Sequence, residues 1–248
     1  MFTDHPIFEK PIDPNATIWR YLDFTKFVDL LDTRSLFFTR SDLFHDRFEG
    51  SYPQFNVKAR PQVYGGVNAI PESVIQMATE TSKLCRRWMA INCWHLNPHE
   101  SAAMWRLYLK SNEGVAIRST YSNLASSLLP CNDNIYSGVV KYIDYQSEWM
   151  PEGNLFYPFL HKRKSFAHEN ELRCVICRFP KSIGEEAKKE EPISDGIRVP
   201  VDLSRLISGI SVAPESQPWL MRLVESVSRK YAINVSITPS GLGVDPVY

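Results

Sequence analysis

Residues 18–39 read IWRYLDFTKFVDLLDTRSLFFT, and this stretch decides the fold class. Ile18 to Leu22 is a short apolar-rich run typical of a strand, and residues 35–39 form a second one. Between the two runs, apolar residues recur at helical spacing, namely Phe24, Phe27, Val28, Leu30 and Leu31. The stretch therefore predicts a strand, a helix and a second strand.

The alternation of strand-like and helix-like segments continues along the chain. Strand patterns lie at 90–94, 114–117, 135–145, 173–178, 197–201, 207–212 and 233–237, and helical patterns at 71–87, 98–108, 124–130 and 218–231. Residues 53–66 have no clear period and are predicted to be irregular. Residues 181–196 carry charges of both signs without an apolar face, which indicates a solvated, protease-sensitive insertion.

These patterns predict an α+β fold with a central mixed β-sheet and peripheral helices. We expect a single domain over residues 1–248, with its core in residues 19–178 and 197–237.

Composition excludes several classes of protein. Lys and Arg number 28, as do Asp and Glu, so no net field attracts a polyanion or a membrane. Five cysteines are an odd and small number, which favours a reducing cytoplasm, and residues 1–10 lack the features of a signal peptide. No apolar run reaches 18 residues, so no membrane span is expected. The oligomeric state stays open.

Several kinds of site lack their motifs. Cys174 and Cys177 form a single Cys-x2-Cys pair within an apparent strand, where the two side chains fall on opposite faces, so we expect no metal. Glycine-rich phosphate loops, dinucleotide fingerprints and serine elbows are also missing from the sequence.

Glu169 and Glu171 are the clearest candidate for chemistry. Two residues apart at the start of a strand, they are predicted to share one face. Neighbouring cations would keep both carboxylates charged; these are Lys162, Arg163, Lys164, His168 and Arg173. The alternative is an edge strand with a charged solvent face.

Two resemblances follow from the motifs. The run Trp19 to Gly50, together with Cys93-Trp94 and the segment 162–173, resembles a widespread bacterial family known only as domain-of-unknown-function family 2971. That family's loop usually reads Asn-Asp-Pro-Phe-Glu, whereas here His45 and Arg47 depart from it. The order of the pieces is also remotely similar to that of the ADP-ribosyltransferases.

The second resemblance implies an enzyme that uses NAD, acting on a protein, a nucleic acid or a small molecule, in phage defence or as a toxin. It implies Glu171 as the catalytic carboxylate, with Glu169 assisting, and a cofactor site formed by Arg20, Tyr21, Ser101, Trp105 and Tyr108. The alternative is a non-catalytic module that binds a nucleotide or a protein. In that case Glu171 is not expected to share a cleft with Arg20 and Tyr108.

Asp46 and Glu49 form an acidic loop that the first resemblance marks. They are predicted either to form part of the site wall or to act as a structural latch. Because burying a lone carboxylate is costly, at least one should pair with Arg20, Arg40 or Lys164, or with backbone N–H groups.

Overall fold

A computed structural model describes residues 2–65, 70–109, 111–180, 191–244 and 246. The strands are β1 (Thr17–Asp23), β2 (Ser35–Arg40), β3 (Met89–Leu96), β4 (Gly114–Thr120), β5 (Ile135–Val139), β6 (Lys141–Ile143), β7 (His161–Arg163), β8 (Glu171–Cys177), β9 (Gly196–Pro200), β10 (Gly209–Val212) and β11 (Ile237–Pro239). The helices are α1 (Phe24–Thr33), α2 (Gln54–Tyr64), α3 (Glu72–Cys85), α4 (Ala102–Tyr108), α5 (Tyr121–Ser127), α6 (Tyr157–Leu160), α7 (Leu203–Leu206) and α8 (Pro218–Lys230).

A mixed sheet organises the described residues. Its main path runs β11-β10-β4-β1-β3-β2-β9, and β8 lies between β3 and β5. β10 and β11 pair in parallel, whereas the other pairs of this sheet are antiparallel. The predicted α+β class, with a central mixed sheet and peripheral helices in a single domain, is confirmed. The predicted boundaries of the core stay a prediction.

The sheet forks at β3. β1 pairs with the end of β3 at His95 and Leu96, whereas β2 pairs with its beginning at Ala90 and Ile91. In between, residues 92–94 of β3 pair with β8 on one edge and have no partner strand among the described residues on the other. β1 and β2 therefore diverge and leave an opening in the sheet.

Helix α1 connects the two diverging strands and helps to cover one face of the sheet. Phe27, Leu30 and Leu31 are buried, as their helical spacing predicts, and the helix ends where Arg34 adopts a left-handed conformation with φ of 46°. The same apolar core includes residues of α5, α7 and α8 and the strand residues Leu172 and Cys174. Because side chains alternate along a strand, Glu171 and Arg173 point to the opposite face.

Several segments differ from their sequence predictions or extend them, and the strand predicted at 233–237 begins only at Ile237, as β11. Residues 54–64 are helical, not irregular: the buried Asn56 exchanges hydrogen bonds with the backbone of Met150, so polar contacts hold α2 without an apolar stripe. The strand predicted at 135–145 is divided into β5 and β6. Of the predicted charged insertion, residues 181–190 lie outside the described residues, and Ile193 packs into the core.

Among the helices that the structure describes, none combines the length and apolar character needed to cross a bilayer.

Candidate active site

The fork of the sheet contains a cleft of about 170 Å³. Its lining comes from the strands on both sides of the opening, together with residues of α1, α4 and β8. Its walls are Trp19, Arg20, Tyr21, Leu22, Lys26, Thr39, Phe44, Ile91, Cys93, Trp94, His95, Met104, Tyr108 and Glu171. A second cleft of about 250 Å³ adjoins it and shares Arg20, Leu22, Lys26 and Thr39. Both clefts are bordered by residues of β1, α1 and β2, and we refer to the two together as the groove.

Arg20 occupies the opening itself. Its Nη1 donates a 2.7 Å hydrogen bond to the carbonyl oxygen of Cys93, in the part of β3 that neither β1 nor β2 pairs. Its guanidinium lies 5.9 Å from the ring centre of Trp94, and burial lowers its pKa. Since no carboxylate of the described residues forms an ion pair with Arg20, its charge is available to an anionic ligand.

Glu171 places an ionised carboxylate at the wall of the cleft. It is the first residue of β8 and lies opposite His95 of β3. Its Oε1 accepts a hydrogen bond from Lys162 Nζ at 2.7 Å, and its Oε2 accepts one from Arg173 Nε at 2.5 Å. Burial alone would raise the pKa of Glu171, but Arg173, a hydrogen bond with Glu169 and Lys162 outweigh it and hold the pKa well below its usual range.

Arg173 links Glu171 to the acidic loop. It is fully buried, and its Nη1 and Nη2 donate to Glu49 Oε1 and Oε2 at 2.6 and 2.9 Å. Nη1 also donates to the carbonyl oxygen of Phe159 at 2.7 Å. One guanidinium therefore joins two carboxylates that lie far apart in the sequence.

Glu169 approaches the same cluster from a turn. It ends a short 3-10 helix, and Asn170, with φ of 36°, reverses the chain before β8 begins. Lys162 Nζ donates to both Glu169 and Glu171. Burial and the neighbouring Glu171 raise the pKa of Glu169 to about 8, so this carboxyl is protonated at neutral pH. The raised pKa runs against the expectation that cations keep Glu169 charged, although Lys162 contacts this carboxyl as predicted.

Neither carboxylate lies on a solvent-facing edge. Glu169 and Glu171 are buried, and β8 is an interior strand paired with both β3 and β5. The alternative of an edge strand with a charged outer face is therefore wrong.

Two tyrosines add aromatic surface to the cleft. The Tyr21 hydroxyl accepts a 2.8 Å hydrogen bond from the backbone N–H of Ser101, and burial raises its pKa to about 12. Tyr108 is the last residue of α4 and remains 40% exposed. Burial of its hydroxyl group raises the pKa of Tyr108 well above its usual value, so both phenols are neutral.

Ser101 and Trp105, predicted to bind the cofactor, are not brought into this cleft. The hydroxyl of Ser101 caps α4 by accepting from the N–H of Met104. Trp105 is buried, donates to Glu100 at 3.1 Å and packs edge-to-face against Tyr21 at 4.9 Å. Both residues contact Tyr21, Ser101 through its backbone N–H and Trp105 through its ring, and so help to hold Tyr21 in position.

Asp46 and Glu49 are buried beside the cleft but do not form its wall. Their cationic partners are Arg163, at 2.7 Å from Asp46, and Arg173 for Glu49. The predicted partners have other contacts: Arg20 binds the Cys93 carbonyl, Arg40 binds Asp42 and Lys164 binds Glu148. Asp46 also accepts a 3.0 Å hydrogen bond from the backbone N–H of Phe48, so the expected backbone contact is present.

His95 was not predicted as a site residue. Its Nδ1 lies 2.6 Å from the carbonyl oxygen of Glu169, and its Nε2 lies 3.1 Å from the side-chain nitrogen of Asn97. Burial lowers its pKa, so the ring is neutral near pH 7. Its pairing with Glu171 joins positions 76 residues apart (171 − 95), which no local pattern indicates.

Metal binding has no support in the described part of the chain, where no group of three or more His, Cys, Asp or Glu residues could hold an ion.

Comparisons with known proteins add little to this geometry. The sequence matches no family model and none of the curated proteins. Among solved structures, the chain is similar to one described as Thermus sp. 2.9 DarT in complex with ADP-ribosylated ssDNA. The identity is 8%, the TM-score is 0.42, and the match covers 96% of this chain and 100% of that chain.

The resemblances to the ADP-ribosyltransferases and to domain family 2971 both stay predictions.

Proposed function

We propose that this protein is an NAD-consuming enzyme of the ADP-ribosyltransferase type. The observation that carries the proposal is the meeting of Arg20, Tyr108 and Glu171 in one cleft. These residues come from β1, α4 and β8, and each has the chemistry that such a reaction needs. The alternative of a module without a carboxylate in the cleft is disfavoured by the position of Glu171.

The groove suits a dinucleotide with a diphosphate in its middle. Arg20 lies where the two clefts meet and lacks an anionic partner within the described chain, so it can bind a phosphate oxygen. Tyr21 and Tyr108 offer aromatic surface to the nicotinamide ring in the smaller cleft. The larger cleft, lined by Phe37, Asp29 and Lys26, is left for the adenosine half.

Bound NAD would supply the ADP-ribosyl group, which is released when the bond between the nicotinamide nitrogen and ribose C1′ breaks. Glu171 presents negative charge at the wall of the cleft, where positive charge would develop on the ribose. Lys162 and Arg173 keep this carboxylate ionised and oriented. The incoming nucleophile of the acceptor forms the new bond to C1′ and loses a proton to solvent.

The decisive experiment is incubation with labelled NAD, measuring both free nicotinamide and label transferred to an acceptor. We expect release by the parent protein and loss of release in Glu171→Gln. Glu152→Gln is the matched control, because Glu152 is a largely buried carboxylate that pairs with Arg60 at 3.0 Å outside the cleft. A Glu171→Gln protein with the parent's NAD turnover would contradict the assignment.

A second candidate is a non-catalytic module that binds a nucleotide in the same groove. It is favoured by one observation: both carboxylate oxygens of Glu171 already accept hydrogen bonds from cations. The nicotinamide assay separates the two functions. A module should bind NAD, as measured by calorimetry, without releasing nicotinamide.

The acceptor and the biological setting remain predictions. A protein, a nucleic acid or a small molecule could each supply the nucleophile, and a role in phage defence or as a toxin is tested by expression in a bacterial host. We expect growth arrest with the parent protein and normal growth with Glu171→Gln produced at the same level.

A further inference from the structure

The contact between the acidic loop and β8 is built from buried charges. Glu49 and Arg173 form two parallel hydrogen bonds, and their side chains are 1% and 0% exposed. Arg173 uses its remaining edge, at Nε, for Glu171. The guanidinium is planar, so the two bonds to Glu49 fix the direction in which Nε points.

The loop is held in place from the other side as well. Gly50 has φ of 69°, and a Cβ atom there would lie 2.5 Å from Cε1 of Phe159. A side chain at this position would push the loop away from Phe159, whose carbonyl oxygen also accepts from Arg173. Loop, α6 and β8 therefore meet on a single guanidinium.

We infer that Glu49 is a positioning residue that holds the Glu171 carboxylate in the cleft through Arg173. The inference rests on the proposed function, in which Glu171 faces the reacting ribose. Glu49 does not line the cleft, and it acts only by orienting the guanidinium that Glu171 binds. When the Glu49 carboxylate is missing, the guanidinium of Arg173 loses two hydrogen bonds and can tilt. Its hydrogen bond to Glu171 Oε2 is then no longer held in one geometry.

The test compares Glu49→Gln with Asp46→Asn. Both changes remove a buried carboxylate from the same loop, but Asp46 pairs with Arg163, whereas Arg173 pairs with Glu49 and Glu171. We expect Glu49→Gln to lower the kcat of nicotinamide release about tenfold while the KM for NAD changes less than threefold. Asp46→Asn should keep kcat within twofold at a similar loss of melting temperature. Equal kcat values in Glu49→Gln and the parent would overturn the inference.

A second variant covers the case in which Glu49→Gln does not fold. Arg173→Lys keeps the buried positive charge but cannot span both carboxylates, so we expect the same fall in kcat with KM unchanged. An Arg173→Lys protein with the parent's kcat would overturn the inference.

Failure of the proposed function and failure of the positioning role of Glu49 give different results. A parent protein that releases no nicotinamide, or a Glu171→Gln protein that releases it normally, refutes the proposed function itself. If Glu171→Gln is inactive while Glu49→Gln and Arg173→Lys keep the parent's kcat, only the positioning role fails.

Discussion

Replacing Arg173 with methionine removes the cation that both Glu49 and Glu171 depend on. The parent side chain makes hydrogen bonds of 2.6 and 2.9 Å to Glu49, 2.5 Å to Glu171 and 2.7 Å to the Phe159 carbonyl. Glu171 keeps Lys162 as a partner, but Glu49 has no other ion pair among the described residues. Removing one partner of a buried ion pair costs about 3–5 kcal/mol.

That loss is a large share of the roughly 5–15 kcal/mol by which folded domains are stable. For a chain of this length, each kcal/mol corresponds to about 2–4 °C in melting temperature, so Arg173→Met should melt about 6–20 °C below the parent. Urea titration measures the free energy of unfolding directly. A second substitution, Glu49→Gln, removes the stranded charge and should restore part of the loss.

The loss should also depend on pH. Burial already raises the pKa of Glu49, and in the parent Arg173 opposes that rise. Without Arg173 the folded protein holds a proton on Glu49 more strongly than the unfolded chain does, so the variant's deficit grows as pH rises. A deficit below about 1 kcal/mol, or one that shrinks between pH 5 and pH 8, would refute the reasoning.

Three further predictions concern single residues. The folded protein retains a proton on Glu169 up to pH about 8, whereas the unfolded chain loses it at lower pH. The free energy of unfolding should therefore fall between pH 5 and pH 8 by up to about 1.4 kcal/mol per pH unit. In urea titrations, the free energy of unfolding of Glu169→Gln should depend less on pH than that of the parent. Trp105→Ala should cost about 3–5 kcal/mol in unfolding free energy, measured by urea titration, because the buried ring packs in the core against Tyr21. Arg20→Lys keeps the charge but loses the planar guanidinium at the Cys93 carbonyl; NAD affinity measured by calorimetry should fall about tenfold, and an unchanged affinity would remove Arg20 from the diphosphate site.

Local patterns predicted the elements well where packing follows an apolar period. The strand, helix and strand of residues 18–39 are present because Phe27, Leu30 and Leu31 pack onto the sheet at helical spacing. The same reasoning failed for α2, whose fixed contacts are polar and leave no period in the sequence. Hydrophobic periodicity reveals only apolar residues that pack in a core. Asn56 is buried but polar, and hydrogen bonds hold it in place, so it leaves no such signal.

The site was predictable only in part. Glu171, Arg20, Tyr21 and Tyr108 were proposed as site residues, and the structure places all four in the cleft. The resemblance to the ADP-ribosyltransferases implied Trp105 beside Tyr108 as a cofactor-binding residue. With 3.6 residues per turn, position 104 lies closer to the face of position 108, and it is Met104 that lines the cleft beside Tyr108.

The contact of Glu49 with Arg173 joins residues 124 positions apart, so it depends on the complete topology. The sequence marked both residues but offered no means of pairing them. Register between distant strands is set by the whole sheet and not by either segment alone.

The fork in the sheet also determines when the cleft can exist during synthesis. Its opening needs β1 and β2 on one edge of β3, and its carboxylate needs β8 on the other. A ribosome-bound chain that ends before residue 171 lacks Glu171 and Arg173 and cannot complete the cleft, even though Arg20 and Tyr108 have already been made. Strand pairings between such distant segments form slowly, because the entropy of loop closure is lost before the contacts can stabilise the pair. Any chemistry in this groove therefore begins only after most of the chain has emerged and the long-range strands have paired.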